Sequence, residues 1–506
     1  MIQKLINNFI SLLVLLMIFT SSSHPISEIM RKECDGCLQT ARPLPSLPPQ
    51  SLNEINTKWD LWSAGTTLRG ANIWQAAIYQ DSSETEVSGM ETVYSDKDFE
   101  HLRRWKANYI NISHPGIYSE TLFPVSDKPG TFTYQLNKRV LDNLAELVEK
   151  AKEKHLFVVI SYRTGPGRNE RNFSDKKHID ELKAGKKNDS GETKDQFYRK
   201  LRAELFKTDA SGNLTKEAEK AQAGWIEMWK ETVTKFKDYP NIVGYDLMVE
   251  PVSEFEVLGK PGEVSDEAKI AARQKWFEFA RKIVSAIRSA EVALGIVEGK
   301  RNPILIGGSN YSNACSLSCF RPAEFNDFGR IIYTAHQYAP NEYTHQSNKF
   351  AEFECKNGTP EAMGQGRDHK PKTFNNSIKK NLENRYQWMN GFKETNNFVP
   401  VAINEFGVSR WAGKMDDGKH FPDASNFLIF HVNLIERLGA NHALWLWEVD
   451  DCIGYDDMNY RHGTNPRNHT NIKPEDEVRD PLIKAIKDNW ANNRVYATPE
   501  FLTKFK

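Results

Sequence analysis

Eight short apolar, β-branched runs alternate along this chain with longer stretches of helical periodicity, which predicts an α/β protein folded as a closed (β/α)8 TIM barrel. Several of these runs end in polar or acidic residues, as strands do when they are buried on both faces and open at one rim. A total of 506 residues also suits one barrel enlarged by insertions. The same alternation is compatible with an open, doubly wound parallel sheet, which is the alternative fold.

In chain order, the first segment is Lys4 followed by an apolar run from Phe9 to Phe19 and the small polar stretch Ser21-Ser22-Ser23. That is the layout of a signal peptide over residues 1–23, with an uncleaved anchor as the alternative. The run is shorter than the roughly 20 residues of a membrane span, so no span is expected in the mature chain. Secretion, or a periplasmic location, follows. Residues 24–54 form a Pro-rich leader containing ARPLPSLPPQ, expected to be extended and linker-like rather than packed.

The catalytic barrel is expected over residues 55–506. Its strands are TLRGANIW from Thr67, ANYINISH from Ala107, LFVVISYR from Leu156 and IVGYDLMVE from Ile242, then ILIGGSN from Ile304, IIYTAHQY from Ile331, VPVAINEFG from Val399 and HALWLWE from His442. Apolar residues at three- and four-residue spacing mark helices at Arg139 to His155, Lys275 to Ala293 and Phe427 to Leu438. Between Arg163 and Gln222 a long charged, Gly-containing segment departs from the even spacing. It reads as a βα-loop insertion after strand three, either a solvated excursion or a wall of a substrate cleft.

Composition narrows the partners. With 67 basic and 67 acidic side chains there is no long-range pull toward nucleic acid or an anionic membrane, which leaves neutral or small ligands. Six cysteines, Cys34, Cys37, Cys315, Cys319, Cys355 and Cys452, favour disulfides in an oxidising compartment, although six cysteines allow 15 pairings. Cys34 and Cys37 are the simplest local pair. As a metal or redox motif they lack the second Cys pair or His spacing such a site needs. Neither a cofactor nor a metal is implied, and a monomer is expected.

The chemistry-bearing residues are at strand ends. Glu250 follows IVGYDLMV and precedes Pro251; Glu405 follows VPVAIN and precedes Phe406-Gly407. A carboxylate at the end of a buried apolar strand is costly unless paired, hydrogen-bonded or protonated, the environment that tunes an acid or a base. Either residue alone could be a buried carboxylate capping a neighbouring helix. Together, on strands four and seven, they face each other across the barrel mouth, where one can protonate a departing oxygen while the other attacks a carbon.

With these pieces in place, the chain resembles glycoside hydrolase family 5, the cellulase-like family of retaining barrel glycosidases. The resemblance rests on Tyr245-Asp246-Leu247 leading to Glu250-Pro251, on His336-Gln337-Tyr338, on Glu405-Phe406-Gly407 and on Trp447, and it runs from about Thr67 to Trp447. It implies a carbohydrate substrate, with Glu250 as general acid/base and Glu405 as nucleophile. It further implies Tyr338 hydrogen-bonded to the nucleophile, His336 contacting substrate or orienting a carboxylate, and Trp447 as the platform beneath the sugar. The alternatives are that Trp447 is a core aromatic and His336 a satisfied buried histidine. Val249 stands where the family carries Asn, NYINISHPG lacks the family's arginine, and strand three ends in Ser161-Tyr162-Arg163 instead of a histidine. Either the pocket is rebuilt for another sugar, with His114, Tyr162 or Arg163 supplying the missing contacts, or the barrel binds carbohydrate without turnover. Retention of both glutamates favours the former. Trp74 leads the other aromatics considered for subsites, Tyr79, Tyr311, Tyr343 and Trp411, because it follows directly on the first strand.

Overall fold

The computed structural model of the chain describes residues 41–46, 54–75, 77–79, 87–90, 94–122, 132–168, 205–258, 265–344, 373–408, 422–447 and 481–506. The expected signal peptide at 1–23, residues 24–40 and 47–53 of the Pro-rich leader with Cys34 and Cys37, Cys355, Cys452, Trp411 and residues 169–204 of the insertion lie outside them.

Eight parallel strands close on themselves: β1 Arg69–Trp74, β2 Tyr109–His114, β3 Phe157–Tyr162, β4 Ile242–Asp246, β5 Ile304–Gly307, β6 Ile331–Gln337, β7 Val401–Phe406 and β8 Asn441–Leu444. Each pairs with its neighbours in chain order, and β1 pairs with β8 from Arg69↔His442 to Ala71↔Leu444, which rules out the open sheet. At the β1–β2 contact, a Cβ on Gly70 would fall 1.7 Å from the Tyr109 carbonyl oxygen, so only glycine lets the strands approach there.

The longer helices among the described residues are α1 Asp96–Arg104, α2 Lys138–Glu153, α3 Lys216–Phe236, α4 Asp266–Ala293, α5 Asn376–Thr395, α6 Pro422–Leu438 and α7 Pro481–Trp490. Side-chain caps set several starts: Asn137 accepts from Val140 N, Thr215 from Ala218 N and Ser265 from Ala268 N. The start of α4 precedes Lys275 because its opening turns are polar, burial beginning only at Ala272. Among the described residues β5 is followed by two 3-10 helices, Ala314–Cys319 and Pro322–Phe328, where the other strands have α-helices.

Residues 41–46 of the Pro-rich leader are not a free linker. They lie along α5 and α6: Asn390 Nδ2 donates to the Pro43 carbonyl at 2.8 Å, Arg437 Nε to that of Pro45 at 2.7 Å, and Leu44 is buried. Apolar packing outweighs the proline signal here.

The core has two parts. One fills the shell between strands and helices; the other plugs the barrel floor, where Leu61, Trp62, Tyr109, Phe157, Val243 and Phe505 pack together. Trp62, from a short helix at Asp60–Ser63, donates its Nε1 to the Val243 carbonyl at 2.9 Å. Above this apolar floor the strands turn polar, and the site opens at their C-terminal ends. No helix among the described residues is long and apolar enough to cross a membrane.

Candidate active site

Strand alternation decides which side chains face the mouth. Ser113 and Arg163 point inward, whereas His114 and Tyr162, partners in register across β2 and β3, point outward into the helical shell. His114 places Nδ1 2.7 Å from the Pro115 carbonyl and Nε2 3.0 Å from Asn143 Oδ1 on α2, and burial lowers its pKa to about 4. The Tyr162 hydroxyl lies 2.7 Å from Thr232 Oγ1 on α3. Neither can replace a sugar contact, a correction forced by the register.

Arg163 does reach the mouth. Its Nε donates to Ser113 Oγ at 2.9 Å and its Nη2 to Glu405 Oε2 at 3.1 Å, Nη1 lies 3.9 Å from Glu250 Oε2, and the guanidinium stacks 4.7 Å from the Trp445 ring centroid. It stands just past β3, beside the end of β2, where NYINISHPG has no arginine.

Glu250 lies four residues past the last paired residue of β4, rather than closing the strand as the apolar run suggests. Lateral bonds still hold that stretch: Leu247 N donates to the Leu305 carbonyl at 3.1 Å and Val249 N to that of Tyr162 at 2.9 Å. Glu250 itself has φ +52°, a left-handed conformation that side chains rarely adopt. Glu405 lies within β7 opposite His336, where the β6–β7 register shifts, the kind of irregularity that re-aims side chains at a barrel rim.

His336 bridges the pair. Its Nδ1 is 3.0 Å from Glu250 Oε1 and 3.4 Å from Glu405 Oε2, and the Tyr338 hydroxyl donates to Glu405 Oε1 at 2.8 Å. One oxygen of each glutamate and a ring nitrogen of His336 all lie within 4.8 Å of one another, a spacing that could also hold a metal ion. Arg163 already occupies the cation's electrostatic role between these oxygens.

The charges are shared. Burial pushes the Glu405 carboxyl up and prevails over the His336 and Arg163 charges, leaving it above the ordinary carboxylate range. Burial acts the same way on Glu250, but the His336 hydrogen bond and the charges of His336, Arg163 and Arg168 outweigh it and hold that carboxyl low. The two glutamates draw His336 upward despite its own burial. Two acids and an imidazole thus compete for protons at one point, the behaviour of a group that works in proton transfer.

Trp447 is not the platform. It is 1% exposed and packs edge-on against His101 and Trp105 at 5.2 and 5.1 Å in the helical shell. Trp445, two residues earlier, stands at the mouth in a cluster with Trp74 and Tyr338, its ring 6.3 Å from that of Trp74. Two tryptophans in LWLWE look alike to sequence reasoning, since β8 ends at Leu444 and alternation no longer tells them apart. Tyr311 N donates to the Pro251 carbonyl at 3.1 Å, beside Glu250, whereas Tyr343 is a core residue packed on Phe374 and Phe427. Of Tyr79 only the backbone is described.

Sequence reasoning also passed over a polar layer beneath the pair. The Ser161 hydroxyl and Asn404 Nδ2 both donate to Asp246 Oδ2, Asn111 Nδ2 donates to Asn72 Oδ1 at 2.7 Å, and Tyr109 donates to Asn404 Oδ1 at 2.8 Å. Arg168 was missed as well: its Nη1 and Nη2 donate to the carbonyls of Val249 and Glu250 at 2.6 and 2.8 Å. In sequence it is one cation in a Gly-rich, charged loop.

The comparisons with known proteins agree with this geometry. The family model for cellulase (glycosyl hydrolase family 5) matches residues 78–451. Endoglucanase 3 of Fibrobacter succinogenes is 28% identical over 203 residues, covering 36% of this chain and 27% of that protein, so the match spans about a quarter of the relative's length. Among solved structures, endoglucanase Cel5A from Thermotoga maritima superposes with a TM-score of 0.51 at 17% identity, over 85% of this chain and 98% of that one. The cellulose synthase subunit Z from Clostridioides difficile gives 0.51 at 15%, over 83% and 99%. At such identities the structural likeness bears on the fold alone. With a family model matched across most of its length, a closed eight-stranded barrel and paired glutamates at the rim, the chain belongs to glycosyl hydrolase family 5.

Proposed function

We propose that this protein is a secreted hydrolase of β-linked glycosides acting with retention, with Glu250 as general acid/base and Glu405 as nucleophile. The observation that carries this reading is the spacing: oxygens of the two carboxylates come within 4.8 Å. Retaining sites hold their carboxyl groups roughly 5–5.5 Å apart, and inverting ones leave roughly 6.5–9.5 Å for a water. Glu405, 6% exposed at its side chain and held by Tyr338 and Arg163, is immobilised as a nucleophile needs to be. Glu250, 20% exposed at its side chain, is the more accessible of the two, where a leaving oxygen can reach it. For the first step the proton that His336 Nδ1 shares with Glu250 has to sit on Glu250: Glu405, ionised, attacks the anomeric carbon, the bond to the departing oxygen breaks, and Glu250 gives that oxygen its proton. In the second step Glu250 takes a proton from water, and the water oxygen displaces Glu405.

Trp74 and Trp445 offer ring faces to the C–H face of a sugar, and His336, Tyr338 and Arg163 supply polar contacts. No amide stands at Val249, so the pocket holds the sugar through a different set of donors. The endoglucanases among the relatives make a β-linked glucan the first substrate to test. Secretion is supported by the signal-peptide pattern, and no described cysteine carries a free thiol.

Glu405→Ala should lower kcat on an aryl β-cellobioside by roughly a thousandfold or more. Glu250→Ala should regain turnover with azide, yielding a β-glycosyl azide. Unchanged hydrolysis in either variant, or inversion at the anomeric carbon seen by NMR, refutes the assignment.

A further inference from the structure

The acid/base residue depends on an uncommon backbone. The φ and ψ of Glu250 fix how the peptide planes on either side of its Cα are turned, and φ +52° costs a side-chain-bearing residue free energy that its surroundings must offset. Arg168 touches both planes. Its Nη1 holds the Val249 carbonyl at 2.6 Å, in the peptide before Glu250, and its Nη2 the Glu250 carbonyl at 2.8 Å, in the peptide after it. A guanidinium is a rigid planar fork, so two carbonyls bound to its arms are fixed relative to each other, as a flexible ammonium could not fix them.

Arg168 is itself held in place. It is 4% exposed and closes a tight turn after β3, its amide and that of Gly165 each donating to the other's carbonyl at 2.9 Å. Gly165 is packed against the Trp225 ring, which a Cβ would approach to 2.8 Å.

We propose that Arg168 is a positioning residue for the acid step, clamping both peptide planes of Glu250 so that its carboxyl is directed at His336, Glu405 and the leaving oxygen. This rests on the reading of Glu250 as acid/base. Its charge is also among those that hold the Glu250 carboxyl low, after the contributions of His336 and Arg163.

The test uses the leaving group. Aryl β-cellobiosides whose phenols range from 2,4-dinitrophenol to phenol need progressively more protonation of the departing oxygen. In Arg168→Ala, kcat/KM for the phenyl glycoside should fall by roughly a hundredfold and that for the dinitrophenyl glycoside by less than about threefold. Arg168→Lys, able to serve one carbonyl at a time, should fall between wild type and Arg168→Ala, and it decides the matter if the alanine variant does not fold. Equal losses on both substrates, or no loss, overturn the proposal. Glu250→Gln runs in parallel as the reference for lost acid assistance. If it shows the leaving-group dependence and the Arg168 variants do not, only this inference fails; if it shows none, the reading of Glu250 fails and the inference with it.

Discussion

Arg163 meets both glutamates, the Ser113 hydroxyl and the Trp445 face from a single position just past β3. It reaches the pair from the end of β3, whereas NYINISHPG on β2 carries no arginine. The glutamates were legible because acids rarely end apolar strands without a purpose, and Arg163 because it stands in the same strand-end position. For Trp447 the core-aromatic alternative holds and the platform reading does not: both tryptophans lie beyond the last paired residue of β8, where local pattern cannot say which ring turns to the mouth. Their roles separate experimentally. Trp445→Ala should raise KM for a cellobioside roughly tenfold with little change in Tm, since a stacked ring contributes about 1 kcal/mol or somewhat more to holding its partner. Trp447→Ala should instead cost about 3–5 kcal/mol of stability, read by urea unfolding, because it empties a packed site between His101, Trp105 and Trp490. The opposite pattern would restore Trp447 to the platform.

At the scale of elements, all eight strands were visible, because strands covered on both faces read as apolar runs whatever their tertiary partners. Ends were less visible. Glu250 was assigned to a strand that stops at Asp246, since Leu247, Met248 and Val249 are as buried as a strand but bond to β5 and β3 irregularly. The two 3-10 helices after β5 left no periodic signature. The β1–β2 contact offers an element-level test. With a Cβ 1.7 Å from the Tyr109 carbonyl oxygen, Gly70→Ala must push the two strands apart at a backbone atom that cannot rotate away. A loss of at least about 3 kcal/mol in urea unfolding is expected; a variant as stable as wild type would mean that the strands pack less closely than described.

Across the whole molecule the barrel interior is stratified: an apolar floor, a polar middle and a charged rim. Sequence shows this only as scattered Asn, Ser and Asp within strands, because their convergence depends on barrel closure. Asp246 carries the clearest consequence. Burial raises its pKa from 3.8 to about 7, against the His336 charge and the hydrogen bonds of Ser161, Asn404 and the Met248 amide. Between those values the folded protein holds a proton that the unfolded chain releases. Its contribution to stability is therefore full below about 3.8 and is lost as pH rises through about 7. Asp246→Asn, which cannot ionise, should gain stability relative to wild type as pH goes from 4 to 8, by a few kcal/mol at about 1.4 kcal/mol per unit. A pH-independent difference in urea unfolding between the two would show that Asp246 does not titrate in this window.

The floor has a mechanical meaning. Lys504 Nζ donates to the Ile55 carbonyl at 3.1 Å, and Phe501 and Phe505 close over Phe157, so the segment that leads into β1 and the one that follows α7 are fastened together. The ring of strands is thus a hoop with its buckle on the side away from the glutamates. Opening the β1–β8 seam from the floor side therefore means breaking the Lys504–Ile55 hydrogen bond and the phenylalanine contacts as well, at the end of the barrel away from the glutamates.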